Sequence, residues 1–136
     1  MTKQELCNRA IQMMNRAYAP YSGHRVGAAL LAASGKIYTG CNIENAAFSP
    51  TVCAERVAFF QAVSAGEREF LSIAVAGGKD AVAEDGFPPC GVCRQVMAEF
   101  CGPEFEILVA QGQGSYRSYS LGELLPQAFS PAHLVF

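Results

Sequence analysis

Two apolar runs in the middle of the chain, Phe70 to Ala76 and Phe105 to Ala110, are each preceded by a stretch with helical spacing. A strand formed by Lys36 to Cys41 precedes both. Strand, helix, strand, helix, strand is the pattern of parallel crossovers, which need helices to cover a sheet. This alternation constrains the fold more than any other feature. It predicts an α/β architecture with a mixed sheet.

The flanking segments complete the prediction. Thr2 and Glu5 have the spacing of a capping box, and Leu6, Ala10, Ile11, Met13, Met14, Ala17 and Tyr18 follow at helical intervals. Pro20 disfavours helix at Ala19, so this helix is expected to end near Tyr18. Val26 to Ala32, the Ser34-Gly35 turn and Lys36 to Cys41 read as a hairpin. The next helix is expected over 52–65, with Thr51 as its cap and Gly66 ending it. A helix opens at the second cysteine stretch and ends near Phe100. Tyr116 to Ser120 returns antiparallel after Gly112-x-Gly114, and a last short helix covers 121–125. The hairpins are expected to add antiparallel edges. The expectation is one domain over 1–136: three layers, α/β/α, around a five-stranded mixed sheet.

The chemistry concentrates where two of these helices begin. One stretch is Thr51-Val52-Cys53-Ala54-Glu55-Arg56; the other is Pro88-Pro89-Cys90-Gly91-Val92-Cys93-Arg94-Gln95. Cys90 and Cys93 are three apart and share a helical face. At a helix start the macrodipole favours anions and therefore thiolates. Consecutive helices of an open α/β sheet often begin at one edge, so Cys53 can meet the pair. Three cysteines without an evident fourth ligand suit a catalytic zinc site, which keeps one position for water. Glu55, two residues beyond Cys53, stands off the ligand face, where a proton shuttle belongs. Three thiolates over-neutralise Zn²⁺, and Arg56 or Arg94 can restore charge by donating to sulfur. Against this stand a redox Cys-x-x-Cys pair, which explains neither Cys53 nor Glu55, and a closed structural site completed by Cys41, Cys101, His24 or His133.

Charge and composition narrow the partners. Formal net charge is −2 over 136 residues, and no two Lys or Arg are adjacent. The basic stripe of a polynucleotide binder is missing, so a small uncharged substrate is expected and no nucleic acid polymer. No apolar run approaches the roughly 20 residues of a membrane span, and the N-terminal stretch has no apolar signal core. No membrane partner and a cytoplasmic location are the expectations. In a reducing compartment, six cysteines point to metal binding or burial rather than to disulfides.

At these residues the sequence resembles the small three-cysteine cytidine deaminases. Tyr18-Ala19-Pro20-Tyr21-Ser22, Val26-Gly27-Ala28-Ala29-Leu30, Cys41-Asn42-Ile43-Glu44-Asn45-Ala46, the two cysteine stretches and Leu124-Leu125-Pro126-Gln127-Ala128-Phe129 all match. The metal segments identify the superfamily; Asn-Ile-Glu-Asn makes the nucleoside reading specific. The resemblance implies zinc-dependent hydrolysis of cytidine and 2′-deoxycytidine to uridine and 2′-deoxyuridine, as in pyrimidine salvage. Cys53, Cys90 and Cys93 would hold one Zn²⁺ per subunit, and Glu55 would move protons. Asn42 and Glu44 would bind the ribose 3′-hydroxyl, and the Ala54 backbone would face the pyrimidine edge. The family is usually a homotetramer with shared sites, to which Ala46, Phe48 and Phe129 would contribute.

Two positions depart from the family pattern. His24 replaces a usual Phe near base and sugar, so nucleoside affinity is expected to vary with pH. Phe48 stands where Tyr is common. The alternative substrate is another cytosine nucleoside, such as a blasticidin-type antibiotic; a zinc-stabilised binding module without turnover is the non-enzymatic alternative.

Overall fold

A computed structural model of the chain describes residues 1–134; the last two positions of the 1–136 range lie outside the described residues. Thr2 caps the first helix as its spacing demands. Its hydroxyl accepts from the Glu5 amide at 3.1 Å, and the Glu5 carboxylate accepts from the Thr2 amide at 2.9 Å. Helix α1 covers Lys3–Met13, and a 3₁₀ turn follows over Met14–Arg16. The helix thus stops short of Tyr18. The Tyr18 backbone is paired elsewhere: its amide donates to the Asn42 carbonyl at 3.0 Å, and its carbonyl accepts from the Glu44 amide at 2.9 Å.

The strands are β1 (Arg25–Ala32), β2 (Ile37–Cys41), β3 (Phe70–Gly78), β4 (Glu106–Ala110) and β5 (Tyr116–Ser120). They form one sheet in the order β2-β1-β3-β4-β5. β1 is antiparallel to both β2 and β3, β3 is parallel to β4, and β4 is antiparallel to β5. Two strands antiparallel to the same neighbour run alike, so β2, β3 and β4 share one direction. Helices α2 (Ala54–Ser64) and α3 (Gly91–Phe100) make the expected crossovers between them.

The first hairpin adds an antiparallel edge, as expected: β2 takes the edge of the sheet, and β1, antiparallel to both its neighbours, lies inside it. Residues 27–30 of β1 are buried on both faces, which suits an interior strand; β2 is mostly half-buried.

The pleat divides the core in two. Ala29, Ala74, Ala76, Leu108 and Ala110 face α1 through Leu6, Cys7, Ala10 and Met14. Ala28, Leu30, Ile73, Val75, Ile107 and Val109 face α2, α3 and the short α4 (Leu121–Leu124) through Ala58, Phe59, Met97 and Leu121. The result is the expected three-layer α/β/α fold around a five-stranded mixed sheet. Phe59 anchors the second layer, with its ring centroid 5.0 Å from that of Phe70 and 6.1 Å from those of Phe100 and Phe105.

The position of α2 matters most for function. A Cβ on Gly40 would collide with the Ala54 carbonyl oxygen, so only glycine lets the first turn of α2 rest on the edge strand. The cap of this helix is not Thr51. Val52 exchanges backbone hydrogen bonds with Ile43 at 3.0 Å, and the Thr51 hydroxyl accepts from the Asn45 amide at 3.0 Å. The helix therefore begins after Cys53, which takes the N-cap position. Gly66 ends α2 with φ +101°, the left-handed conformation expected of it. A final 3₁₀ turn over Pro131–His133 has no counterpart in the sequence reading.

Candidate active site

Cys53 caps α2 and Cys90 caps α3, both with extended backbone, and neither side chain makes a capping bond to the backbone of its own helix. Their sulfurs are left free to point away from the backbone. Cys93 lies one turn into α3 and is buried. The three sulfurs lie within 4.8 Å of one another, with Cys53–Cys90 and Cys90–Cys93 both at 3.6 Å. That is far beyond a disulfide bond of about 2.05 Å. It matches the sulfur–sulfur edge of roughly 3.8 Å set by Zn–S bonds of about 2.3 Å in a tetrahedron. The donor set therefore fits zinc. Among the described residues none of Cys41, Cys101, His24 or His133 joins the group. Cys41 donates to the Arg16 carbonyl, and His133 is bonded to Ser130. Among the described residues the closed four-ligand alternative therefore finds no fourth ligand.

The surroundings favour negative charge on sulfur. Hydrogen bonding from Cys93 and from Arg56 and Cys90 outweighs burial and lowers the Cys53 thiol to about 5. The Arg56 guanidinium reaches the Cys53 sulfur at 3.5 Å, as the sequence suggested. Cys93 is shifted the other way by its bond to Cys53 and by burial. Arg94, the other candidate for sulfur, does not reach it and bonds to backbone carbonyls instead.

Glu55 follows in the first turn of α2 and is only 4% exposed. Burial pushes its carboxyl up to about 7, with the Cys53 charge adding to the shift. Its Oε1 is buried without a hydrogen-bond partner. Buried polar atoms are rarely left so. A carboxyl that exchanges its proton near neutrality, beside three sulfurs, is suited to acid–base work.

These groups open onto a cleft of about 220 Å³ whose walls include His24, Asn42, Glu44, Cys53, Glu55 and Cys90. Asn42 and Glu44 build this wall as well as lining it. Asn42 Oδ1 accepts from the Val26 amide, and its Nδ2 donates to the His24 carbonyl, both at 2.8 Å. One donor and one acceptor site remain on the amide for a ligand. Glu44 accepts from the Tyr21 and Ser22 amides at 2.9 and 3.0 Å and from the Ser22 hydroxyl. These bonds, the Ser22 hydroxyl foremost, hold its carboxyl below the usual value. The His24 ring stacks on Phe87 with centroids 5.9 Å apart.

The remaining expected residues fall around the cleft. Ala54 is fully buried as the first residue of α2, where a helix leaves its amides without intrahelical partners. Ala46 lies on an exposed turn. Phe48, 71% exposed, lines an adjoining hollow of about 400 Å³ with Tyr21 and Glu44. Phe129, 56% exposed, stacks on His133 and does not line this chain's own cleft. The sequence reading missed Phe87, Pro88 and Ser22 as wall residues. Phe87 packs against Gly77, where a Cβ would come within 2.6 Å of its ring. A lone aromatic before Pro88-Pro89 was the available signal.

Residues 1–109 match the family model for the cytidine and deoxycytidylate deaminase zinc-binding region. The chain belongs to this deaminase family. It is 46% identical to a cytidine deaminase of Sporosarcina psychrophila over 136 residues, covering all of this chain and 97% of that one. A cytidine deaminase of Halalkalibacterium halodurans is 45% identical, with 96% of each chain covered. The crystal structure of cytidine deaminase from Burkholderia pseudomallei superposes with a TM-score of 0.86 at 46% identity, over 95% of this chain and all of that chain. The deaminase fold of the solved structures is thus the fold of this chain, and the three-sulfur group coincides with what the family model describes as zinc-binding.

Proposed function

We propose that this chain is a cytidine deaminase that hydrolyses cytidine and 2′-deoxycytidine to uridine and 2′-deoxyuridine with release of ammonia. The observation that carries the reading is the placement of Glu55, buried and with an unpartnered carboxylate oxygen, beside an open three-sulfur site at the end of a polar cleft. Cys53, Cys90 and Cys93 would hold one Zn²⁺, which when bound would supply the Lewis acidity that lets water lose a proton near neutral pH. Glu55 takes one proton from the water that adds at C4 and delivers it to N3. It then takes the remaining proton from the C4 hydroxyl and gives it to the departing amine, so that the C4 carbonyl forms as ammonia leaves. Arg56 offsets the excess negative charge of three thiolates. Asn42 and Glu44 hold the ribose 3′-hydroxyl with the hydrogen-bonding capacity left after they have fixed the 21–26 segment. The Ala54 amide faces the pyrimidine edge.

The assembly belongs to the same proposal. A homotetramer would cover Ala46, Phe48 and the adjoining hollow, and would bring Phe129 of one subunit to the cleft of another. No helix of the described residues is long and apolar enough to cross a membrane. A cytoplasmic role in pyrimidine salvage fits a nucleoside substrate. The direct test follows cytidine by ultraviolet absorbance with the zinc-loaded protein. Steady conversion to uridine is expected; no conversion with zinc bound would overturn the reading.

His24 marks what sets this chain apart. Its ring lines the cleft on the Phe87 stack, on the same wall as the Glu44 carboxylate. A polar ring there offers less apolar stacking area than phenylalanine and so changes nucleoside affinity. His24→Phe is expected to change KM for cytidine while kcat is little altered. Identical KM values for the two proteins would remove His24 from this role.

A further inference from the structure

Arg94 follows Cys93 directly, yet its guanidinium turns away from sulfur. Its Nε donates to the Pro89 carbonyl and its Nη1 to the Leu124 carbonyl, both at 2.7 Å. Charge-assisted bonds of this length are the strong ones. Pro89 is fully buried and immediately precedes Cys90. Pro88 and Pro89 have no backbone N–H, so this stretch cannot fasten itself by donating. The Arg94 amide in turn donates to the Cys90 carbonyl at 3.0 Å. That amide bond is the first-turn bond of α3 that any residue at 94 would make; what the guanidinium adds is a hold on the peptide that leads into Cys90.

Cys90 needs that grip. It is the most exposed of the three cysteines, and its side chain makes no capping bond. Packing holds Cys93, and the seat of α2 on Gly40 holds Cys53. The other end of the clamp is Leu124, the last residue of α4, whose carbonyl is one that a helix end leaves unpaired. Gln95, next in the chain, donates to the Phe129 carbonyl at 2.8 Å. Residues 94 and 95 thus tie the C-terminal segment to the start of α3, but only the Arg94 side chain reaches the carbonyl of the residue that precedes a metal-site cysteine.

We propose that Arg94 is a positioning residue that holds the Cys90 sulfur in place for zinc and so sets how long the metal is retained. The proposal rests on the reading of Cys53, Cys90 and Cys93 as ligands. It divides the work of the two arginines: Arg56 reaches sulfur and tunes its charge, whereas Arg94 reaches carbonyls and fixes where a sulfur stands.

The test is the rate of zinc release from the holoenzyme into excess chelator, well below the melting temperature. Arg94→Ala is expected to release zinc roughly 10- to 100-fold faster than the natural chain, the range for removing a group that orients a metal ligand. Arg94→Lys, a point charge without the planar fork, is expected to fall between. Gln95→Ala cuts only the Phe129 tie and is expected to release zinc at the natural rate. If Arg94→Ala melts earlier but releases zinc at the natural rate, Arg94 is merely structural and the proposal is overturned. If Arg94→Ala does not fold, Arg94→Lys decides, and release within twofold of the natural rate overturns it. A natural chain that holds no stoichiometric zinc would remove the ligand reading and this proposal together. A natural chain that holds zinc, with Arg94 variants that behave like it, would remove this proposal alone.

Discussion

Glu55→Gln is expected to reduce kcat for cytidine by about 10⁴-fold, the upper end of what one positioned proton-transfer group contributes. The upper end applies because one carboxyl serves water, N3 and the departing amine in turn, and an amide can serve none of them. Zinc content is expected to stay at one per chain, since Glu55 is not among the clustered sulfurs. Stability carries a second signature in the zinc-free protein. Burial raises the Glu55 carboxyl from 4.5 to about 7, so the folded chain holds its proton more tightly than the unfolded chain. The neutral form costs least: stability is lost as pH rises from the unfolded value through the folded one, by about 3 kcal/mol when complete. Glutamine stays neutral throughout. Zinc-free Glu55→Gln is therefore expected to melt above the zinc-free natural chain at pH 8 and to match it more closely near pH 4. A variant that turns over cytidine within tenfold of the natural chain would falsify the assignment of the shuttle.

The catalytic centre was more legible in the sequence than the walls around it, for a physical reason. Helix starts are local: a cysteine before an apolar-periodic run, and two cysteines three apart, fix both backbone geometry and facing from a few neighbours. Cys53, Cys90, Cys93 and Glu55 accordingly meet in the structure as their spacing implied. The same local reasoning placed the crossovers and five strands, because apolar period and turn residues agree along most of the chain. It did not place β1 between β2 and β3, since order in a sheet depends on which strand is buried on both faces, and that is settled by α1 and α2 together. Thr51 failed as a cap because its hydroxyl was claimed by Asn45, and Val52 by Ile43. Arg94 was ambiguous for the same reason: adjacency to a cysteine does not say whether a guanidinium meets sulfur or the carbonyl of Leu124, thirty positions away. Asn42 and Glu44 were read from the resemblance as sugar ligands. Their bonds to residues 21–26 are tertiary and belong to no motif.

Cys90→Ala is expected to yield a folded but less stable chain that purifies without zinc. The two remaining sulfurs belong to different helices, Cys53 at the start of α2 and Cys93 in α3, and the lost one is the sulfur placed 3.6 Å from each. With two ligands the site loses the donor set that zinc requires. Stabilisation by a bound ion follows mass action, and for a site held at a thousand times its dissociation constant it amounts to about 4 kcal/mol. In a chain of this size that corresponds to a fall in melting temperature on the order of 10–15 °C. The natural chain stripped by chelator should show the same fall, because the loss comes from the ion and not from the side chain. A further decrease in Cys90→Ala beyond the stripped natural chain would measure packing alone, and should be small for an exposed cysteine. Cys101→Ala is the control: that thiol is half-buried outside the group, and burial pushes it up to about 12, so it stays protonated and binds nothing. It should keep one zinc per chain. If Cys90→Ala retained stoichiometric zinc, or chelator left the natural melting temperature unmoved, the three-sulfur site would not be what joins α2 to α3.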